Sequence, residues 1–230
     1  MDEVGAPLAG WTPPPRPLRA PLPGRWMRLE PLDPERHAEA LHAANAQDDR
    51  IWTWLPYGPF DGVAGYRSWA EAAAARDDPL FFAIATPEAG PLGAASFMRI
   101  QPEAGSIEIG HICFSPPLQR SCAGTEALTL MAREAFRLGY RRLEWKCDAR
   151  NGPSRRLAER LGFSFEGVHR QAAVVKGRNR DTAWWSMLDG EAPTRLAAYD
   201  RWLDPANFDA EGRQRASLSE LTRHLPVWRG

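Results

Sequence analysis

Between Glu108 and Thr125 the chain passes from an apolar strand through a turn of small and polar residues into a helix, and this succession constrains the fold more than any other stretch. Residues 107–114 read as the strand and residues 123–138 as the helix. Leu128, Met131, Ala135 and Leu138 form one apolar stripe on that helix, at spacings of three, four and three. A helix that opens just past a strand leaves the N–H groups of its first turn unpaired, at the positive end of its dipole. The turn is therefore predicted to cradle an anion, and a phosphate-bearing ligand fits it.

The rest of the chain organises around this unit. Residues 1–24 hold seven prolines and are predicted to form an extended arm, neither helix nor central strand, which Trp11 docks onto the body. Residues 25–32 alternate like a strand. Helices are predicted over 34–47, behind Asp33 as cap and Pro34 at its first position, and over 62–76, behind Asp61. A proline-broken aromatic loop, Ile51 to Phe60, lies between them. Strands are predicted over 80–86, 92–100, 142–148, 164–175 and 180–188, with a short helix over 153–161. Three strands in a row before the cradle helix argue against a doubly wound parallel sheet. The expectation is an α/β (α+β) fold with a mixed, mostly antiparallel sheet of about seven strands and helices on both faces. A tail, 191–230, has two amphipathic stretches that either cover the sheet or join a homodimer.

Charge excludes some classes of function. Lys+Arg and Asp+Glu are both 29, which argues against a general nucleic-acid binder. The balance is uneven, however: residues 141–180 carry eleven basic and four acidic side chains. A basic segment just after an anion cradle suits a polyanionic small ligand, or is simply a solvated basic face. Three cysteines without metal-ligand spacing fit a reducing compartment, no apolar run is long enough to cross a bilayer, and Asp2 and Glu3 stand where a secretion signal would be apolar. A cytoplasmic protein with no metal and no membrane partner is expected.

Residues 25–190 resemble the GNAT superfamily of acyl-CoA N-acyltransferases, and within it the RimJ/RimL-like branch. The family's cradle, Gln/Arg-x-x-Gly-x-Gly/Ala, falls on Gln119 to Gly124, with Cys122 standing where the family has glycine. Glu108-Ile-Gly110, Thr125-Glu-Ala127, Asn151-x-x-Ser154 and Leu161-Gly-Phe163 follow in the family's order. The resemblance implies acetyl-CoA, or another acyl-CoA such as succinyl-CoA, as donor, with a small amine or a protein N-terminus as acceptor. It also implies that the strands ending near Ser115 and Asp148 splay apart to admit the pantetheine. A non-catalytic acyl-CoA-binding sensor or assembly module is the alternative.

Roles follow for individual residues. Glu108 lies eleven residues before Gln119, where histone-acetylating relatives place their base; it is either a general base or the ion-pair partner of an arginine on a neighbouring strand. By alternation His111 falls on the face opposite Glu108. The backbone from His111 to Phe114 would polarise the thioester carbonyl, especially at a bulge. Ser154 would give a proton to the leaving sulfur, or merely cap a helix with Asn151. Gln119, Arg120 and Ser121 would reach phosphate, and the amides of Ala123, Gly124 and Thr125 would do most of the binding. Cys122 adds a Cβ that narrows the cradle or packs as a small thiol. Trp52, Trp54, Tyr57 and His111 are assigned to the acceptor pocket.

Overall fold

The computed structural model describes residues 5–225, so Asp2 and Glu3 lie outside the described residues. Eight strands form one sheet: β1 (Leu22–Pro23), β2 (Arg28–Pro31), β3 (Leu80–Thr86), β4 (Gly90–Gln101), β5 (Ser106–Phe114), β6 (Arg142–Asp148), β7 (Ser164–Val175) and β8 (Arg178–Leu188). Their order in space is β1-β2-β3-β4-β5-β6-β8-β7. Every pairing is antiparallel except β5 with β6. The strand beyond the seven expected is β1, two residues inside the proline-rich arm. It sits at the sheet's edge, where a missing proline N–H breaks no ladder.

Among the described residues six α-helices flank the sheet: α1 (Pro34–Asn45), α2 (Gly62–Ala74), α3 (Cys122–Arg137), α4 (Gly152–Arg160), α5 (Ala192–Leu203) and α6 (Leu218–Thr222). Asp33 caps α1 by accepting from the amides of Glu35 and Arg36, but Asp61 makes no capping bond to α2. On one face, α1 and α2 bury Leu41, Tyr66 and Ala70 against Phe81 and Ala83. On the other, Leu128, Met131 and Ala135 of α3 pack on Phe82, Phe97, Ile107 and Ile109. Tyr199, Trp202 and Leu218 of the tail belong to this second core, so the tail covers the sheet. The arm lies along the body: Arg16 and Arg19 donate to the carbonyls of Ile100, Asp77 and Arg76, and Arg141 lies over the Trp11 ring.

One buried carboxylate ties the arm's end to the helix that carries the cradle. Glu126 on α3 accepts from the amides of Arg25 and Trp26, each at 2.7 Å, and of Met27 at 3.2 Å. Glu126→Gln replaces an acceptor by an N–H₂ facing two amides. It is expected to lower unfolding free energy by about 3 kcal/mol, read as a drop in urea midpoint at unchanged m-value.

Candidate active site

The site begins where the sheet forks. The β5–β6 register runs Ser106 to Arg142, Ile107 to Leu143 and Glu108 to Glu144, and stops there. Beyond it, the β6-facing edge of β5 is left without a strand partner. On its other side, β5 bulges: Ala94 and Ser96 of β4 pair with Cys113 and Gly110, so His111 and Ile112 stand against the single residue Ala95. His111 sits in the left-handed region, at φ +51°. The extra residue overturns the alternation expected for this strand. His111 stacks on Tyr57 (5.6 Å) and meets Phe81 (5.1 Å), on the α1–α2 side, which Glu108 shares.

A cleft of about 710 Å³ opens on the other side of the fork. Phe114, Gln119, Arg120, Ser121, Gly124 and Thr125 line it from the β5–α3 turn, Asn151 and Ser154 from α4, and Trp54 from the aromatic loop. Thus the structure brings together nine of the sequence-predicted residues. Glu108, His111, Trp52, Tyr57, Cys122 and Ala123 do not line it. Trp52 is a core residue, 3% exposed, and Tyr57 is enclosed among Phe60, Trp69 and His111.

The cradle is built differently from its sequence reading. Ser121 caps α3: its Oγ donates to the Leu118 carbonyl (2.7 Å) and accepts the Gly124 amide (2.9 Å). The Thr125 amide donates to the Ser121 carbonyl, and the Gln119 side chain to the Phe114 carbonyl. The amides of Gly124 and Thr125 are therefore spent inside the fold. Those from Arg120 to Ala123 have no protein acceptor among the described residues. Arg120, at φ +58°, turns this run of N–H groups toward one side. Gly124 is required by packing, since a Cβ there would lie 2.8 Å from the Leu118 carbonyl and 3.1 Å from the Phe114 ring. Cys122 packs against the α3 core instead of entering the cleft, and burial pushes its thiol pKa up.

Sequence reading missed three arginines on the cleft: Arg50, Arg156 and Arg160. Arg156 and Arg160 are four apart on α4, and that spacing within a basic segment was the available signal. Arg160 donates to Thr125 Oγ1 (3.1 Å). Ser154 Oγ accepts the Trp145 indole N–H at 3.0 Å, and the Ser154 amide is capped by Asn151.

Glu108 is buried, and its Oε2 lies 2.6 Å from Lys146 Nζ and 3.6 Å from Arg99 Nε. Its nearest partner is thus the lysine of β6; the expected arginine, on β4, is second. Burial pushes its carboxyl above the usual carboxylate range, opposed by Lys146. His111 is lowered to about 4, first by burial and then by Arg180 and Arg76.

A forked sheet with a run of unpartnered amides beside the fork suits a class of protein that holds an anionic ligand at that point. Comparison with known proteins names the family. The acetyltransferase (GNAT) domain model matches residues 27–164, and the chain belongs to the GNAT acetyltransferase family. It is similar to a GCN5-related N-acetyltransferase from Brucella melitensis, at 47% identity and TM-score 0.92, covering 94% of this chain and 100% of that one. It is also similar to a probable GNAT-family acetyltransferase from Chromobacterium violaceum, at 43% identity and TM-score 0.78, covering 83% and 97%. The microcin C7 self-immunity acetyltransferase MccE, solved with acetyl-CoA and AMP, shares the fold at 22% identity and TM-score 0.64, covering 72% and 93%. A search of curated proteins returned no match.

Two outcomes are expected. Gly124→Ala should weaken acetyl-CoA binding at least tenfold by calorimetry, whereas Cys122→Gly should change it less than twofold. Acid should destabilise the fold through His111: the unfolded ring takes its proton near pH 6.5, the folded ring only near 4, so stability falls as pH drops between these values. The slope from this residue is at most ~1.4 kcal/mol per pH unit, and His111→Gln should flatten it in urea titrations.

Proposed function

We propose that this protein moves an acetyl or similar acyl group from acyl-CoA to a primary amine, by direct attack in a ternary complex. The observation that carries this reading is the run of unpartnered amides from Arg120 to Ala123, set at the end of a cleft that runs along the fork. Those amides, with Arg120, Arg156 and Arg160, suit a pyrophosphate. The unpaired edge of β5 suits the amide groups of a pantetheine arm. Residues 25–190 form the transferase domain in this reading, with the arm and tail as its outer shell. The RimJ/RimL-like placement rests on the cradle motif, and three free cysteines fit a reducing cytoplasm. No helix among the described residues is long and apolar enough to cross a membrane.

Each chemical step has a residue suited to it. A backbone N–H at the His111 bulge stabilises the oxyanion that forms when the amine attacks the thioester carbonyl. Ser154, on the cleft wall, accepts the Trp145 indole N–H and offers its hydroxyl as a hydrogen-bond donor to the sulfur as it departs as thiolate. Glu108 accepts the amine's proton. Burial raises its basicity, and Lys146, beside it, opposes that rise.

The tight Glu108–Lys146 pair is also what a purely structural carboxylate would show, and it favours the non-catalytic reading. Thiol release from acetyl-CoA with a panel of amines decides between the two: binding with no amine-dependent release defeats the transferase reading. If Glu108 is the base, Glu108→Gln should lower kcat by roughly 100-fold and abolish the acid limb of the pH–rate profile, with acetyl-CoA affinity measured beside it to separate a lost base from a disturbed fork.

A further inference from the structure

On β8, Ala183, Trp185 and Met187 face the α3 core, so alternation turns Arg180, Thr182 and Trp184 to the opposite side. This is the side of Glu108, His111 and Tyr57. The Trp184 ring lies 4.0 Å under Lys146 Nζ and 4.7 Å from the His169 ring. At the other end, the β7–β8 turn crosses to the aromatic loop: Lys176 Nζ donates to the carbonyls of Trp52 (2.9 Å) and Gly58 (2.7 Å). Arg180 thus lies between a clamp fastened beside Tyr57 and an aromatic floor, within electrostatic range of His111.

Three neighbouring cations are matched, although Arg76, which also acts on His111, has no carboxylate partner among the described residues. Lys146 and Arg99 are paired with Glu108 and Glu144, and Arg142 with Glu166. Arg180 has no carboxylate partner among the described residues, and its buried Nε has no acceptor. Tyr57 Oη and Trp184 Nε1 on the same side are also buried without a partner. All three orphaned groups can donate, and buried donors left unpaired are costly. A guanidinium without a carboxylate partner suits a singly charged, two-oxygen group, which its planar fork meets with two parallel N–H bonds.

We propose that Arg180 binds a carboxylate carried by one of the two reactants, so that the protein either acylates an amine bearing a carboxylate, as an amino acid does, or transfers a dicarboxylic acyl group such as succinyl. The proposal rests on the acyl-transfer reading above and adds the substrate class to it.

Two matched sets test it by thiol release. The first is a panel of α-amino acids against their α-amides, with acetyl-CoA. The second is succinyl-CoA against acetyl-CoA, with neutral amines. Wild type and Arg180→Met are compared, with thermal unfolding as a check that the variant is folded. The carboxylate member of one set should be preferred at least ~10-fold in kcat/KM, mostly through KM, and Arg180→Met should abolish that preference. Preference in the first set places the carboxylate on the acceptor; preference in the second places it on the acyl group. Equal use of acid and neutral members, a preference that survives Arg180→Met, or release that no member accelerates would each overturn the proposal. Where a neutral amine still drives release from acetyl-CoA, the proposal alone fails; where acetyl-CoA binds and no amine drives release, the acyl-transfer reading fails with it.

Discussion

Two carboxylates face each other at the last rung of the β5–β6 ladder. Glu108 and Glu144 are register partners on parallel strands, and like charges so placed repel. Lys146, 2.6 Å from Glu108 and 3.5 Å from Glu144, and Arg142, 3.0 Å from Glu144, make the arrangement tenable, with Arg99 adding longer contacts of 3.6 and 3.9 Å. This cluster stands where pairing ends and the fork begins. Removing Lys146 would leave two buried carboxylates without the cation they share. The cleft, the free edge of β5 and the side chains beyond the bulge all take their positions from this point.

The fork needs rigid walls, and the fold supplies them from distant parts of the chain. Glu126 fastens α3 to the residues just before β2. Tyr199, on α5, donates to the Leu161 carbonyl at the end of α4, and Thr222, on α6, to the Arg160 carbonyl. The two helices that border the cleft are therefore held by segments at opposite ends of the sequence. That arrangement suits a site whose backbone amides must stay aimed at one ligand.

Much of this was legible beforehand. The strand–turn–helix at 107–138, the caps at Asp33 and Asn151, and the element order through β8 follow from periodicity and turn chemistry, which are local. The turn between β5 and α3 forms where the strand–turn–helix pattern puts it, but its unpartnered N–H groups lie earlier than the pattern suggests. Nothing in the string says that Ser121 would fold its hydroxyl onto the Gly124 amide, moving the free N–H groups toward Arg120. Trp52 and Trp54, two residues apart and chemically alike, went to the core and to the cleft because a tight 3-10 turn at Asp49–Trp52 rotates one inward. Alternation misplaced His111 because one inserted residue shifts every later side chain of a strand to the other face.

Local order, the sheet's mixed character and the place of the turn between β5 and α3 were determined by the sequence alone, because each depends on spacings of a few residues. Tertiary structure decided which face His111 and Arg180 share, what neutralises Glu108, and where Cys122 points. Those outcomes depend on contacts between residues far apart in the chain, such as Glu108 with Lys146 and Lys176 with Trp52. A buried charge takes whichever partner the packed strands bring within reach, and only the folded chain sets that distance.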